Sequence, residues 1–244
     1  MKRIILALLT ALPLCTNAQY VMQGKIEYER KLNIHRQLDD MDDNEWYARI
    51  KSQIPKFTVT YFDLLFTTDK SIYKPGKEGD NALKMFGGSP ANDNVVVSNY
   101  KTKAVIAEKQ VFDQKFAVKD SMRVMRWKIE EEIRTIAGHK CRKAVGRMCD
   151  SVVVVAFYTD DIMVSGGPEM FSGLPGMILE LAIPRLYTTW VATKVDPATP
   201  KDADFAIAEK GKKVNQKQLI ETLQESNLKN WGKIAQRYMW WCML

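Results

Sequence analysis

Short runs in which apolar and polar residues alternate constrain this chain more than any other feature of its sequence. The clearest run covers residues 23–35, where Ile26, Tyr28, Leu32 and Ile34 fall on one face and charged side chains fall on the other. A period of two is typical of a β-strand with one face in the core and the other in water. The run predicts a half-buried antiparallel strand near the start of the chain.

Similar runs continue to residue 214, and turn residues separate them. They are rich in β-branched and aromatic residues, and their spacing predicts about ten strands of an antiparallel sheet. We expect a mainly β (α+β) fold, built as a curved antiparallel sheet or a half-open barrel. The further runs are residues 57–68, 70–76, 95–100, 103–111, 115–120, 123–136, 151–159, 176–183, 186–195 and 205–214.

Two segments have helical spacing instead. Trp46, Ile50 and Ile54 predict one early helix, and the acidic residues 39–43 stand at its N-terminus, where carboxylates are favourable. Residues 215–226 carry apolar side chains on one helical face and predict a C-terminal helical segment. The aromatic residues that follow are expected to dock on the sheet, because exposing them to water is costly.

The first residues have the layout of a secretory leader. Residues 1–18 begin with two basic residues, continue with an apolar run too short to cross a bilayer, and end in small or polar residues. Cleavage after Ala18 leaves residues 19–244 as a single domain. Acylation of Cys15 is the alternative, but bulky Leu14 does not suit a lipoprotein signal. We expect an exported protein, in the periplasm or associated with the outer membrane, without a transmembrane span.

Composition and charge narrow the classes of function. The chain is 46% hydrophobic and 27% charged, which is typical of a globular protein and disfavours disorder. Its formal net charge is +7, but the basic residues are interleaved with acidic ones along the strands. This pattern is typical of a solvated mixed-charge face, so we expect no nucleic-acid partner.

Three of the four cysteines lie beyond the leader. Cys141 and Cys149 flank Gly146, so a hairpin that turns there would allow a disulfide between them. Cys242 is an alternative partner for either one. His139 lies two residues before Cys141, and on a strand both side chains point to the same face. Cys141, Cys149 and His139 therefore also form a candidate soft-metal site.

The most informative segment is residues 127–181. It contains, in this order, Trp127, Ile129, Gly138, Cys141, Lys143, Ala144, Gly146, Arg147, Phe157, Tyr158, Thr159, Gly167, Pro168 and the run Gly173-Leu174-Pro175-Gly176-Met177-Ile178. The segment resembles the GLPGLI family of exported Bacteroidetes proteins. Phe157 and Met177 stand where the family usually has Trp and Leu, and both changes keep an apolar side chain. The resemblance implies that the protein is exported, but it does not indicate which reaction, if any, the protein catalyses.

The run Gly173–Gly176 offers no nucleophile, base or metal ligand. Proline fixes the backbone and glycine permits positive φ, so these residues specify a rigid corner that presses Leu174 into an apolar recess. The corner is either purely structural or a turn that lines a ligand groove. In the second case Met177, Phe157 and Tyr158 would border the groove with it.

We expect a non-enzymatic binding protein for an apolar small molecule or for an outer-membrane or other envelope protein. A curved, half-open sheet also resembles the folds of lipoprotein carriers, which hold acyl chains. The alternative is a metal-binding or redox protein that uses His139, Cys141 and Cys149. A hydrolase is a third hypothesis, although the sequence has only two histidines and no recognisable catalytic signature. No cofactor is expected.

Overall fold

The computed structural model describes residues 20–39, 49, 51–79, 91–111, 113–149, 151–226 and 233–244. Its main element is one open sheet of twelve strands, in the order β12-β6-β5-β4-β3-β2-β1-β11-β10-β9-β8-β7. The strands are β1 (Gly24–Asn33), β2 (Phe57–Phe66), β3 (Lys70–Pro75), β4 (Val95–Asn99), β5 (Ala104–Val111), β6 (Gln114–Ser121), β7 (Lys128–Ile136), β8 (His139–Met148), β9 (Val152–Thr159), β10 (Met177–Ile183), β11 (Thr188–Asp196) and β12 (Lys212–Val214).

Neighbouring strands are antiparallel, except that β12 is parallel to β6. The mainly β fold with an open antiparallel sheet is confirmed. The predicted strand over residues 23–35 ends earlier, at Asn33, because a short helix begins at the next residue. The strand predicted over residues 123–136 begins only at Lys128.

The β7–β8 hairpin turns at a different place from the one predicted. Its two-residue loop is Ala137-Gly138, with φ of 47° and 85°. Positive φ at both positions is typical of a type I′ turn, which matches the twist of the flanking strands. Gly146 instead lies inside β8, where a Cβ would meet the Trp127 ring at 2.8 Å. That glycine serves close packing, and the predicted turn at residue 146 is wrong.

The sheet is strongly curved. Trp241 packs against Trp190 of β11, with 6.4 Å between ring centroids, while the backbone oxygen of the next residue, Cys242, accepts a hydrogen bond from Lys109 of β5. Five strand spacings separate β5 from β11, which is about 24 Å in a flat sheet. The sheet must therefore curl so that both strands reach the same short segment, and the side facing that segment is the concave side.

The helices lie near the two ends of the described chain. The α-helices described with both ends are α1 (Ile34–Asp39), α2 (Gln216–Glu225) and α3 (Lys233–Cys242), and two short 3-10 helices cover Pro184–Leu186 and Asp202–Phe205. Asn215 caps α2 by accepting from the backbone N–H of Gln218, and Leu219 and Leu223 are buried, as the helical pattern predicts. Docking of the aromatic C-terminus is confirmed for Trp241, which is buried.

Most of the early helix predicted from Trp46, Ile50 and Ile54 lies outside the described residues. Residues 51–53 are helical, whereas Trp46, Ile50 and the acidic residues 40–43 are not described. Within the described part of the chain, no helix combines the length and the apolar character needed to cross a bilayer.

Candidate functional site

The predicted glycine–proline corner leads into β10 and belongs to the core. Leu174 is only 2% exposed, and Met177, the first residue of β10, is fully buried. Gly173 has φ of 94°, and its N–H donates to Ser165 Oγ at 2.9 Å. The corner therefore presses its leucine into the apolar interior, as the sequence predicts.

Close approach of two backbones fixes the end of the corner. A Cβ on Gly176 would lie 2.0 Å from the carbonyl oxygen of Thr159, at the end of β9. On the opposite side, Trp127 Nε1 donates to the carbonyl oxygen of Ser172 at 2.9 Å. Glycine is required at residue 176 because no side chain fits between the two segments.

The structure separates the other predicted residues of this site. Tyr158 on β9 pairs in register with Ile178 on β10, whereas the preceding residue, Phe157, points to the opposite face of the sheet, where the guanidinium of the exposed Arg134 lies 4.2 Å from its ring centroid. These side chains and the corner line neither of the two cavities described below. Their role in binding a ligand stays a prediction.

The predicted Cys141–Cys149 disulfide is not formed, and its geometry is excluded. Strand β8 runs unbroken from His139 to Met148, so the two cysteines are eight extended residues, or about 26 Å, apart. A disulfide needs Cα atoms within about 7 Å. Cys141, Cys149 and Cys242 form no disulfide among the described residues. The hairpin hypothesis was wrong because the turn lies at residues 137–138.

The same separation rules out a metal site that joins His139, Cys141 and Cys149. His139 Nδ1 instead contacts Asp161 Oδ2 at 2.9 Å, and the buried Cys141 thiol donates to the carbonyl oxygen of His139 at 3.5 Å. Among the described residues, no three potential metal ligands cluster together. Burial raises the pKa of Cys141 to about 12, which disfavours the thiolate that binds soft metals.

A charged side chain that the sequence analysis did not single out lies on the concave side of the sheet. Arg30 of β1 is fully buried, and its Cζ lies 5.0 Å from the ring centroid of Phe62, 5.4 Å from that of Trp241 and 5.9 Å from that of Trp190. Three aromatic faces around one guanidinium form a cation–π box. Burial lowers the pKa of Arg30 from its usual value.

Hydrogen bonds hold the Arg30 guanidinium in this box. They run to Thr60 Oγ1 at 3.0 Å, to the carbonyl oxygen of Ala91 at 3.3 Å and to Asn92 Oδ1. These three oxygens fix the orientation of the guanidinium among the rings.

A second buried cation, Lys109 of β5, binds backbone oxygens near the end of the chain. Its Nζ donates to the oxygen of Cys242 at 2.8 Å and to that of Leu244 at 2.5 Å. The partly buried Arg123 donates to the oxygen of Met243. Removal from water lowers the pKa of Lys109 to about 8. Backbone oxygens of residues 242–244 therefore hold both cations, although Arg123 Nη1 has no hydrogen-bond partner among the described residues.

Glu169 is the one buried carboxylate in the described ranges. Its Oε2 accepts from Asn94 Nδ2 at 2.8 Å, and its Oε1 has no hydrogen-bond partner among the described residues. Its backbone has φ of 54°, a conformation that a residue with a side chain seldom adopts. Burial raises its pKa, which the nearby Lys109 and Arg30 oppose.

We call Arg30, Lys109, Arg123 and Glu169 the interior charge cluster, and residues 241–244 the C-terminal segment. The cluster has three cations and one carboxylate, and the C-terminal segment supplies oxygens to two of the cations, Lys109 and Arg123. A cavity of about 20 Å³ remains between the two, large enough for one water molecule. The concave interior is thus positively charged, aromatic and covered by main chain.

A larger open groove lies where α3 meets α1. Its volume is about 770 Å³. Arg237 reaches across the ends of the two helices and donates to the carbonyl oxygen of Gln37 at 2.9 Å. Arg185 and Arg237 lie over the rings of Trp240 and Tyr187, at 5.8 and 5.6 Å from the centroids. The groove is lined by Asp39, Pro184, Arg185, Tyr187, Gln236, Arg237 and Trp240.

The sequence carried a signal for two members of the cluster. Arg30 stands between Tyr28 and Leu32 on the apolar face of the first alternating run, and Lys109 stands between Ala107 and Val111 in the same way. A charge on the buried face of a strand indicates a functional or paired group. Glu169 lies in an irregular segment without periodicity, so no pattern pointed to it.

Comparisons with known proteins agree with the fold. A family model described as "Protein of unknown function (Porph_ging)", a family associated with Bacteroidetes, matches residues 146–180, which extend from β8 through the corner into β10. No curated protein sequence matches the chain.

Solved structures extend the likeness to most of the chain. Two crystal forms of PNGF-II, in space groups C2 and P21, are each 15% identical to it, with TM-scores of 0.53 and 0.52. They match 83% and 84% of this chain but 33% and 34% of PNGF-II, so the chain spans about a third of that protein. An uncharacterized conserved protein from Thermus thermophilus is 8% identical, with a TM-score of 0.39 over 79% of this chain and 90% of that one. The likeness to PNGF-II shows a shared fold.

Proposed function

We propose that this chain is an exported binding protein of the cell envelope, in the periplasm or at the outer membrane, and that it is not an enzyme. In this proposal residues 1–18 are a leader, residues 19–244 form a single domain of the GLPGLI family, and the concave interior of the sheet binds an apolar ligand. The leader pattern, the corner at residues 173–176 and the open curved sheet support it.

The interior charge cluster is the observation that carries the proposal. Buried cations are costly unless they are paired with anions or fully hydrogen-bonded. Arg30 and Lys109 are both buried and hydrogen-bonded, and Glu169 is the one buried carboxylate near them within the described residues. A positive, aromatic interior is suited to a ligand that supplies negative charge and apolar surface, because ligand sites combine apolar walls with a few placed polar groups.

The titratable groups support binding over catalysis. Burial, which raises the pKa of Cys141, opposes the activation that a cysteine nucleophile requires. His35 Nε2 lies 3.1 Å from the carbonyl oxygen of Ile54, and His139 contacts Asp161, so both histidines have structural contacts. A metal-binding or redox protein, the alternative drawn from the sequence, would need His139, Cys141 and Cys149 to converge, and β8 keeps Cys149 far from the other two.

Native mass spectrometry of the protein purified from the envelope of its own host tests this proposal. We expect a fraction of the protein to carry added mass that organic extraction removes. The variant Lys109→Met should lose that mass, because it lacks the cation, while the exposed variant Arg36→Met should keep it. Unmodified mass for every species, or equal added mass in both variants, would contradict a ligand held in the interior.

A further inference from the structure

The C-terminal segment occupies the concave interior with the chemistry of a ligand. Trp241 places its ring over the Arg30 guanidinium, and Leu244 is fully buried. The backbone oxygens of Cys242 and Leu244 lie 2.8 and 2.5 Å from one ammonium group, that of Lys109. Two oxygens on one cation, joined to large apolar groups, are the features of a long-chain carboxylate.

The fit of the segment is incomplete. Trp241 Nε1, Arg123 Nη1 and Glu169 Oε1 are buried without hydrogen-bond partners in the described part of the chain. The cavity of about 20 Å³ lies against Trp241, Cys242 and Lys109. Buried polar atoms in folded proteins nearly always have hydrogen-bond partners. Unpaired atoms on both sides of the contact between the C-terminal segment and the interior charge cluster therefore indicate that another group can replace the segment there.

We infer that the C-terminal segment is a removable plug, which a long-chain carboxylate displaces by placing its carboxylate on Lys109 and its hydrocarbon chain among the aromatic side chains around Arg30. The inference rests on the proposed function and names its ligand class. At Lys109 the ligand's carboxylate would replace the backbone oxygens of Cys242 and Leu244, and a hydrogen bond to an anion is stronger than one to the neutral carbonyl oxygen of Cys242. Phe62 and Trp190, which face Arg30 beside Trp241, provide apolar surface for the chain.

Two buried thiols allow a test in the full-length protein. Cys242 lies in the plug, whereas Cys141 is buried on β8, and both are protected from water. We would add sodium oleate below its micelle concentration, alkylate the thiols and follow each cysteine by peptide mapping. Displacement of the plug predicts that oleate raises the rate of alkylation of Cys242 by about tenfold or more and leaves that of Cys141 unchanged, since an exposed thiol ionises and a buried one does not.

Matched reagents separate the charge from the hydrocarbon chain. Oleyl alcohol has the same chain without the carboxylate, and it should leave Cys242 protected. The variant Lys109→Met should lose the response to oleate, and protection of its Cys141 reports that it is folded. The comparison of oleate with oleyl alcohol holds for the unmodified chain even if that variant does not fold.

Three results would overturn the inference. They are a Cys242 that stays protected at saturating oleate, joint exposure of Cys141 and Cys242 as in unfolding, and an equal response to oleyl alcohol. Each leaves the proposed function standing if native mass spectrometry still finds a bound ligand. Absence of any ligand in that measurement is the separate result that removes the proposed function.

Discussion

At the scale of single residues, Arg30 shows how a strand pattern hides a functional side chain. The alternation of β1 assigns residue 30 to the buried face, and the structure places its guanidinium there among three aromatic rings. The sequence predicts the face but not the box, because Phe62, Trp190 and Trp241 come from three distant parts of the chain. Only the pairing of β1 with β2 and β11 brings two of them together.

Replacement of Arg30 by methionine should lower the free energy of unfolding by about 3 kcal/mol, because it leaves partly buried acceptors unpaired and removes a buried cation near Glu169. The acceptors are Thr60 Oγ1, the carbonyl oxygen of Ala91 and Asn92 Oδ1. Urea denaturation measures the change. Arg36→Met, at an exposed position of α1, is the control and should stay within about 0.5 kcal/mol. Equal stability of the two variants would show that the Arg30 contacts contribute nothing.

The buried thiols predict that stability falls in alkaline solution. Burial raises the pKa of Cys141 and Cys242 to about 12, whereas an unfolded cysteine titrates near about 8.5. Above about pH 8.5 the unfolded chain loses these protons while the folded chain keeps them. The free energy of unfolding therefore falls by about 1.4 kcal/mol per pH unit for each thiol, up to the folded pKa.

Lys109 acts in the opposite direction, because its folded pKa of about 8 lies below the unfolded value of about 10.4. Between these two pKa values Lys109 raises the free energy of unfolding as the pH rises, which offsets the decline from about one thiol. The charged or titratable neighbours of Lys109 are Glu169, Arg123 and Cys242. Cys242→Ala should remove about 1.4 kcal/mol per pH unit of the decline between about pH 9 and 10. Cys149→Ala, at an exposed position, should leave the slope unchanged, and a similar slope change in both variants would contradict the account.

At the scale of elements, the sequence predicts one turn of this fold correctly and misplaces another. The corner before β10 was predictable because two glycines and a proline restrict the backbone locally. The β7–β8 turn was misplaced because two glycines competed for it, and one of them, Gly146, is needed for packing against Trp127. Local sequence does not distinguish a glycine that turns the chain from one that admits a neighbouring ring.

Substitution of Gly176 tests the corner, and substitution of Gly138 in the β7–β8 turn is its control, because both glycines have positive φ. A Cβ at residue 138 would have no neighbour within 4 Å, so Gly138→Ala should cost about 1 kcal/mol from backbone strain alone. Gly176→Ala should cost about 3 kcal/mol or more, because its Cβ would also collide with the Thr159 carbonyl oxygen at 2.0 Å. Thermal denaturation of both variants gives the comparison. A Gly176 variant as stable as the Gly138 variant would refute the close backbone approach.

At the scale of the whole molecule, the curl of the sheet creates the interior. The number and kind of strands follow from local alternation, so the mainly β fold could be predicted. The strand order could not, because β1 pairs with β11 from the far end of the chain, and the tail returns to cover β5. The cluster that carries the proposed function arises from these long-range contacts, so no local pattern predicts it.

The central claim is that the concave interior is a ligand site that the C-terminal segment closes. A crystal structure of protein recovered from its own host without removal of lipid tests it most directly. We predict elongated density between Lys109 and Trp190, with Trp241 displaced from the Arg30 guanidinium. Trp241 in its place over Arg30, together with a ligand bound elsewhere on the molecule, would contradict the claim.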